Sequence, residues 1–299
     1  MKRSMVLVSC IVVLGLMLSG CASAPTAAPA APAATPLVPP EKLVEKGKLL
    51  ICSNSPYPPM ENLDEKGEWK GVDVDLGTEL AKRLGLTAQF VNTVWDTIIA
   101  SVTSGKCDIL MSSMSITPDR NKQVSFIPYF FAGQSFVAVK GNPENVNSPM
   151  DLCGKSVAAQ SGTVNVDYLQ GTGDYQDKGV SQECTKAGKK AVNVIVSQND
   201  SDAYLQLQSG KVVVYATDSP VAGYYLTLPG NDAKFQTVGE IVESGPYGIA
   251  IPCGAADCST APLSAVGKAV DTALKNMLAD GTYDTILKNW GVSNGTIKR

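Results

Sequence analysis

An arginine in this sequence stands where the chain could hold an anion. Arg120 ends the run SSMSITPDR at residues 112–120, which directly follows a short apolar segment. Thr117 is placed to cap a helix and Pro118 suits its first turn, so Arg120 falls at the third helical position. Its guanidinium then lies near the free backbone amides of the helix start. The spacing therefore predicts a site for a carboxylate.

The composition excludes several other kinds of chemistry. The chain of 299 residues contains no histidine, which removes Ser-His and Cys-His nucleophiles and every histidine metal site. It also has no CxxC pair, so we expect no metal and no cofactor. With 25 basic and 28 acidic residues, the formal net charge is −3, and this balance predicts no nucleic-acid partner.

The first 40 residues have the features of a targeting segment and a tether. Lys2 and Arg3 precede a short apolar run, and residues 1–20 are predicted to be a signal peptide. The LSGC sequence at residues 18–21 resembles the bacterial lipobox, which predicts that Cys21 is lipidated. Residues 21–40 are rich in alanine and proline and suit a semi-rigid tether. No later apolar run could span a bilayer. We therefore expect an exported protein that is held at the outer face of a membrane by its lipid anchor.

Short apolar runs alternate with helical periodicities from residue 41 onward, which predicts an α/β fold. One series of strands and helices ends near residue 111, and a second begins after residue 136. The pattern predicts two lobes, each a doubly wound sheet with helices on both faces. Asp73 or Asp75 is placed to cap the first long helix, and both are interpreted as structural residues.

Six cysteines follow the lipobox, and an oxidising compartment favours their pairing. The predicted disulfide bonds are Cys153–Cys184 within the second lobe and Cys253–Cys258 across a short loop tip. Cys52 ends one predicted strand and Cys107 begins another. In a parallel sheet these two positions lie at opposite ends, farther apart than a disulfide allows, so Cys52 and Cys107 are expected to be buried thiols.

Five short motifs occur in the order that characterises a known family. They are SNSPYPPM at residues 53–60, GVDVDL at 71–76, SSMSITPDR at 112–120, QSGT at 160–163 and GTY at 281–283. Together they resemble the extracellular solute-binding proteins of polar amino acid ABC importers, over residues 47 to about 292. Five motifs in order are far more specific than any one alone.

The resemblance implies a two-lobed Venus-flytrap fold that closes on one amino acid. Lobe 1 would comprise residues 41–132 and 243–299, and lobe 2 would comprise residues 133–242. The chain would cross between the lobes near residues 130–134 and 241–246. A monomer of this kind delivers its amino acid to the permease of an ABC transporter, which recognises the closed lobes.

The family's contacts to the α-carboxylate of the ligand can be carried onto matching residues. Arg120 would bind the carboxylate bidentately. Backbone amides near Ser115, and around Thr163 and Val164, would complete the contacts. The predicted carboxylate site thus draws on two motifs that are far apart in the chain.

The resemblance also implies contacts to the rest of the ligand. Asp218, at the end of a predicted strand of lobe 2, would pair with the α-ammonium, and Ser113 and Ser115 would add oxygens. Tyr57 and Trp95 occupy positions where the family's aromatic residues enclose the ligand side chain. Because the opposite charges come from opposite lobes, a zwitterion is satisfied only when the cleft closes.

One departure from the family pattern bears on the ligand. Asn54 stands where many members carry an aspartate that meets the ligand side chain. A buried lysine or arginine side chain would lack that counter-charge, which costs several kcal/mol. Apart from Arg120, no arginine or lysine appears in the matching motifs, and this disfavours an acidic ligand. We therefore expect a neutral, polar amino acid.

Two other classes of protein use the same fold. Cyclohexadienyl dehydratases remove water from an arogenate-like substrate with a carboxyl acid, for which Glu61 is the nearest candidate here. The pairing of Arg120 with Asp218, the lipid anchor and the tether favour transport, so we expect no enzyme. A receptor's sensor module would need a membrane-spanning helix after residue 292, and with Arg299 as the last residue an integral receptor is not expected.

Overall fold

Two long antiparallel strands lie at the centre of the main sheet in the computed structural model, which describes residues 38–298. The strands of these residues are β1 Lys48–Ser53, β2 Asn62–Leu63, β3 Trp69–Lys70, β4 Thr87–Asn92, β5 Ile109–Leu110, β6 Ser125–Val139, β7 Ser156–Gln160, β8 Asn193–Ser197, β9 Val214–Asp218 and β10 Phe235–Ile251. The α-helices are α1 Val72–Arg83, α2 Ile98–Thr103, α3 Pro118–Asn121, α4 Val164–Gln170, α5 Val180–Lys186, α6 Asp200–Gln208, α7 Ser219–Thr227, α8 Ala265–Ala279 and α9 Thr282–Asn289.

The main sheet has the strand order β4-β1-β5-β10-β6-β9-β7-β8. At one end β1 pairs in parallel with β4 and β5, and at the other end β7 pairs in parallel with β8 and β9. Between these two parallel parts, β6 and β10 run antiparallel to each other. The segments 130–134 and 241–246 lie inside these two long strands. The predicted two-lobed α/β fold is confirmed.

The first part of the sheet is covered by helices on both faces. Because successive strand residues point to opposite faces, Leu49 and Ile51 of β1 pack with α1, α8 and α9, whereas Leu50 and Cys52 pack with α2. Burial on both faces is the usual condition of parallel strands. Helices α8 and α9, near the end of the chain, therefore complete the half of the fold that contains β1 and α1.

The second part of the sheet has its own pair of cores. Val157 and Ala159 of β7 pack with α4 and α5, and Ala158 between them packs with α6 and α7. Tyr57 contacts a core of each half, although it belongs to the loop after β1. The two halves thus have separate cores, and the long strands β6 and β10 run through both.

The predicted signal peptide and Cys21 lie outside the described residues, as does the tether up to residue 37. Val38, near the end of the predicted tether, is fully buried in the core that α1, α8 and α9 cover. The folded body thus includes residues that composition alone assigned to the tether. Within residues 38–298 no helix is both long enough and apolar enough to cross a membrane.

Helix α1 begins after a glycine, and the prediction of an aspartate cap is wrong. Gly71 has a φ of 141°, and a Cβ atom there would collide with the carbonyl oxygen of Met60, so a glycine is needed at this turn. Asp73 and Asp75 lie in the first helical turn, where a negative charge suits the helix dipole. Asp75 is exposed, whereas Asp73 is fully buried.

All six cysteines of the described residues form disulfide bonds. The two predicted bonds are present, with Cα–Cα distances of 5.5 Å for Cys153–Cys184 and 5.7 Å for Cys253–Cys258. The prediction for Cys52 and Cys107 is wrong, because these residues form a third bond with their Cα atoms 5.6 Å apart. Strand β5 has only two residues and Cys107 lies in the bend before it, so this cysteine is not separated from Cys52 by the length of a strand.

Candidate functional site

A cavity lies between the two halves of the fold, with about 330 Å³ of empty space that includes open solvent at its mouth. All nine residues that the sequence assigns to ligand binding line it: Asn54, Tyr57, Trp95, Ser113, Ser115, Arg120, Thr163, Val164 and Asp218. Four further residues line it that the sequence did not assign to a binding role: Glu61, Ser112, Gln160 and Asn165. Residues far apart in the chain thus form one polar chamber.

Arg120 is held by its own short helix and by the opposite half of the fold. The helix start has the predicted form, with Thr117 as cap and its Oγ1 accepting a hydrogen bond from the Arg120 amide at 3.3 Å. The guanidinium donates from Nη1 to the Ser115 carbonyl at 2.9 Å and from Nη2 to the Gly162 carbonyl at 3.0 Å. These bonds use two of its five N–H groups, so the others can bind an anion.

Burial and nearby acids act on Arg120 in opposite directions. Burial lowers the pKa of the guanidinium, while the charges of Asp167 and Asp218 raise it. An arginine stays charged under both influences, because its ordinary pKa lies so far above neutrality. The cavity therefore carries a fixed positive charge on the side where Ser115 and Arg120 lie.

Asp218 is the last residue of β9, and three donors hold its carboxylate. Tyr247 Oη donates to Oδ2 at 2.6 Å, Tyr57 Oη donates to the same oxygen at 2.8 Å, and Asn165 Nδ2 donates to Oδ1 at 3.0 Å. Burial raises the pKa of Asp218, and these hydrogen bonds together with the charge of Arg120 lower it. The donors favour the ionised form, which supplies a negative charge opposite Arg120.

The two predicted aromatic residues each contact a charged group. The Trp95 ring lies 5.5 Å from Cζ of Arg120, close enough for a cation–π contact, and its Nε1 donates to the Gly162 carbonyl at 3.0 Å. Tyr57 donates to Asp218, and burial raises the pKa of its hydroxyl well above the ordinary value. Both residues therefore hold the charges in place as well as offering apolar surface.

Several of these contacts join one half of the fold to the other. The Gly162 carbonyl accepts hydrogen bonds from both Trp95 and Arg120. Next to it, Ser161 Oγ lies 3.2 Å from Asp96 Oδ2. Ser161 and Gly162 follow β7 of the second half. Trp95, Asp96 and Arg120 follow strands of the first half, so these contacts keep the cleft narrow.

Asn54 also bridges the cleft. Its Nδ2 donates to the Thr93 carbonyl at 2.9 Å, and its Oδ1 accepts from Gln160 Nε2 at 3.2 Å. Both ends of the amide are therefore used. Gln160 comes from the end of β7, so the position of the Asn54 side chain depends on both halves.

Serines after β5 form the floor of the cavity near Glu61. Ser112 Oγ donates to Glu61 Oε1 at 2.7 Å and accepts from the backbone N–H of Asn54 at 2.9 Å. Ser113 has a φ of 49°, an uncommon conformation for a residue with a side chain, and its amide donates to Asp73 Oδ2 at 2.8 Å. The Ser115 carbonyl binds Arg120, as described above. The serines thus anchor charged side chains, and Ser113 and Ser115 still face the cavity.

Thr163 and Val164 lie where α4 begins. Thr163 is the N-cap residue, and its Oγ1 donates to the Gln160 carbonyl at 2.7 Å. Asn165 follows in the first turn and binds Asp218, while its Oδ1 is buried without a partner among the described residues. This helix start therefore brings polar groups to the cavity on the side of Asp218.

Sequence signals existed for some of the residues that were missed. Gln160 is the first residue of the QSGT motif, Asn165 lies two residues after it, and Ser112 adjoins the predicted Ser113. Glu61 follows the first motif, and the sequence makes it a candidate enzymatic acid or, if its side chain turns inward, a substitute counter-charge for a basic ligand. Tyr247, which binds Asp218, lies in no motif, and no local pattern connects it with the site.

The sequence of this chain matches a known bacterial family. Residues 49–293 match the profile of bacterial extracellular solute-binding proteins, family 3. The chain is 28% identical over 258 residues to the arginine-binding protein ArgT of Corynebacterium glutamicum, covering 86% of this chain and 79% of that protein.

Solved structures give the same picture. An ancestral arginine-binding protein bound to arginine has 35% sequence identity and a TM-score of 0.70, over 82% of this chain and 98% of its own. An ancestral arginine-binding protein bound to glutamine also has 35% identity, with a TM-score of 0.69 over 83% of this chain and 99% of its own. An ancestral amino acid-binding protein, described as a precursor of cyclohexadienyl dehydratase, has 33% identity and a TM-score of 0.65, over 82% and 95%.

Proposed function

We propose that this chain, which belongs to the bacterial extracellular solute-binding proteins of family 3, binds one amino acid in its central cavity and delivers it to the permease of an ABC importer. One observation carries the proposal. Arg120 and Asp218, from opposite halves of the fold, line the same cavity and place a positive and a negative charge there. This arrangement matches the two charges that every amino acid zwitterion carries.

The orientation of the ligand follows from the free hydrogen-bonding groups. The unused N–H groups of Arg120 take the α-carboxylate, with Ser115, Thr163 and Val164 beside it. Asp218 takes the α-ammonium, because its carboxylate is ionised and can accept beyond the three bonds it already has. Ser113 adds an oxygen on the same side. The side chain of the ligand then extends past Tyr57 and Trp95 toward Asn54 and Glu61.

Binding is coupled to closure of the two halves. Arg120 and Trp95 both contact the Gly162 carbonyl across the cleft, and Tyr57 crosses it to Asp218. A ligand that bridges Arg120 and Asp218 adds to the same set of contacts and so favours the closed state. We propose that the permease recognises this state, with lobe 1 formed by residues 41–132 and 243–299 and lobe 2 by residues 133–242.

The side-chain end of the cavity suits a neutral, polar amino acid at moderately acid to neutral pH. Asn54 offers a dipole in place of a charge, and both ends of its amide are already bonded. Burial and the charge of Asp73 raise the pKa of Glu61 well above its ordinary value, which favours the neutral form of this carboxyl. Among relatives, an ancestral arginine-binding protein has been solved bound to glutamine, which supports a site that tolerates an uncharged side chain.

The N-terminal sequence supports a location of this activity at a membrane surface. We propose that residues 1–20 are removed, that Cys21 is lipidated, and that residues 21–37 tether the folded body to the outer face of the membrane. A monomer on such a tether reaches the permease without leaving the membrane. Mass spectrometry of the mature N-terminus tests the anchor, and an unmodified Cys21 in the purified envelope protein would contradict it.

A ligand screen tests the central proposal. Purified protein is heated with each of the twenty amino acids, and a ligand at 100 times its Kd should stabilise the fold by about 2.7 kcal/mol. Isothermal titration then confirms a single site. In parallel, the protein is incubated with prephenate and arogenate, and aromatic product is expected to be absent. Binding of no amino acid, or turnover that is lost in Glu61→Gln, would overturn the proposed function.

A further inference from the structure

Two buried carboxyl groups lie side by side under the cavity. Glu61 lines the cavity and is 1% exposed, and Asp73 of α1 is fully buried behind it. Neither belongs to the pair of charges that binds the amino acid backbone. A carboxyl group in such a place needs a counter-charge or a proton.

Hydroxyl groups hold the two carboxyls together. Ser113 Oγ lies 3.4 Å from Glu61 Oε2 and 3.3 Å from Asp73 Oδ2, so one hydroxyl bridges the pair. Asp73 Oδ2 also accepts hydrogen bonds from Tyr129 Oη at 2.7 Å and from the Ser113 amide at 2.8 Å. Asp73 Oδ1 is buried without a partner among the described residues.

The position of the two carboxyls lets them share a proton. Glu61 and Asp73 are within hydrogen-bonding reach of each other, and the hydroxyl of Ser113 lies within 3.4 Å of both. The donors on Oδ2 favour the ionised form of Asp73, so the proton resides on Glu61. Burial raises the pKa of both groups, to about 6 for Asp73 and well above its ordinary value for Glu61.

The surroundings of this carboxyl pair contain no cationic side chain paired with it among the described residues. In residues 38–298 no lysine or arginine forms an ion pair with either carboxyl. Asp73 and Tyr129 are the titratable groups that face Glu61 from α1 and β6. The other titratable groups that line the cavity are Tyr57, Arg120 and Asp218, which are engaged with one another and with backbone carbonyls.

We infer that Glu61 and Asp73 form a proton-exchanging subsite for the ligand side chain, an inference that rests on the proposed binding of amino acids. A neutral side chain leaves the shared proton in place. When a guanidinium or ammonium group enters, the O–H bond of Glu61 breaks, the proton leaves to bulk buffer, and the ligand cation pairs with the resulting carboxylate. Before the cation enters, the pair carries one negative charge, on Asp73. Afterwards both carboxyls are ionised, and the ligand cation offsets one of the two negative charges.

The consequence is that pH selects the charge class of the ligand. For one proton released, the Kd of a cationic amino acid falls about tenfold for each unit by which the pH rises below the pKa of Glu61. The Kd of a neutral ligand does not depend on this proton. Neutral ligands are therefore favoured in acid, and cationic ligands gain as the pH rises.

L-arginine and L-citrulline make the sharpest comparison, because they have nearly the same shape and differ in side-chain charge. Each is titrated calorimetrically at pH 7 in phosphate and in Tris, buffers with very different ionisation enthalpies. The difference in binding enthalpy between the buffers counts the protons released. We expect about one more proton for arginine than for citrulline, and a steeper fall of the arginine Kd between pH 6 and 8.

Variants separate the subsite from a general structural effect. Glu61→Gln keeps the shape but cannot ionise, so the extra proton and the pH dependence specific to arginine should both disappear. Asp73→Asn removes the neighbouring negative charge, which lowers the pKa of Glu61 and moves the pH at which arginine affinity levels off to a lower value. Asp75→Asn is the matched control, since Asp75 lies in the same helical turn and contacts Trp290 at 2.7 Å, and it should leave both readouts unchanged.

Three results would overturn the inference. The first is equal proton release for arginine and citrulline, and the second is an arginine pH dependence that persists in Glu61→Gln. The third is failure of arginine to bind anywhere between pH 6 and 8.5. Each counts against the inference alone if another amino acid still binds. Failure of all twenty amino acids would instead overturn the proposed function itself.

Discussion

Arg120 and Asp218 use their hydrogen-bonding capacity differently, although both face the same cavity. Asp218 is already held by Tyr57, Tyr247 and Asn165, so its place is set before any ligand arrives. Arg120 is oriented by two carbonyls and keeps donors free. Loss of Arg120 therefore removes a ligand contact, whereas loss of Asp218 also leaves two tyrosines and an amide without their partner.

Arg120→Ala should abolish amino acid binding and leave the fold intact. Removing one partner of a buried charge pair costs about 3 to 5 kcal/mol, which is two to four decades in Kd. Calorimetry with the amino acid found by the screen measures the loss, and circular dichroism checks the fold. Lys122→Ala is the control, because Lys122 lies next to the same helix and pairs only with Asp119 on the surface at 2.8 Å. A loss below tenfold for Arg120→Ala would contradict the site.

Asn54→Asp should shift the preference toward basic ligands. The aspartate keeps an acceptor for Gln160 and adds a negative charge beside the ligand side chain, so lysine and arginine are expected to gain about tenfold, or about 1.4 kcal/mol. Competition titration with all twenty amino acids at pH 6 measures the change. Asn54→Ala, which removes the amide without adding charge, should show no such gain. A wild type that prefers arginine or lysine over glutamine at this pH would disprove the neutral assignment.

Elements of the second half are joined by another buried acid. Asp200 begins α6 and accepts hydrogen bonds from two residues of β9, Tyr215 Oη at 2.5 Å and Thr217 Oγ1 at 2.8 Å. Burial raises the pKa of Asp200 to about 7, and the charge of Asp218 acts in the same direction. The contact thus connects a helix to the strand that ends in the ligand-binding aspartate.

The stability of this connection should depend on pH. Because the pKa of Asp200 is raised in the folded state, its stabilising effect is complete below the ordinary aspartate pKa and is lost as the pH rises through about 7. Asp200→Asn should therefore reduce the loss of stability between pH 5 and 8, by an amount on the order of a few kcal/mol. Urea unfolding of both proteins at the two pH values measures it. An unchanged difference would show that Asp200 does not titrate in this range.

The disulfide bonds act on the elements they join in proportion to the loop they close. Cys52–Cys107 spans 55 residues and Cys253–Cys258 spans 5, so the chain-entropy relation gives about 4 and about 2 kcal/mol. Peptide mapping without reduction should find both bonds, as well as Cys153–Cys184. Replacing each pair by alanine should then lower the free energy of unfolding in that order. Free Cys52 and Cys107 in protein from the cell envelope would contradict the third bond.

The whole molecule should respond to ligand by closing. The two halves have separate cores, and across the cleft they are joined by polar contacts such as those of Tyr57 and Gly162, so opening breaks these contacts without breaking a core. Small-angle scattering should show a smaller radius of gyration when the ligand saturates the site. Arg120→Ala at the same ligand concentration should keep the radius of the free protein. A radius that stays constant in the wild type would contradict coupling between binding and closure.

The sequence by itself determined the α/β class, the family motifs and the local placement of Arg120. These depend on neighbours in the chain: alternation of apolar runs, a threonine that caps a short helix, and a proline in its first turn. It also identified nine of the thirteen residues that line the cavity, and six of those nine lie within the family's motifs. The disulfide Cys153–Cys184 could be predicted because both cysteines fall within one lobe.

Only the tertiary structure decided which distant groups meet. Tyr57 and Asp218 are 161 positions apart, and the pKa of Glu61 depends on Asp73, which lies on another element. No local pattern contains either contact. Cys52 and Cys107 pair because β5 is very short and a bend precedes it, which the apolar run at residues 108–111 did not reveal. Hydrogen bonds, proton sharing and disulfides act over a few ångströms in space, and folding alone sets those distances.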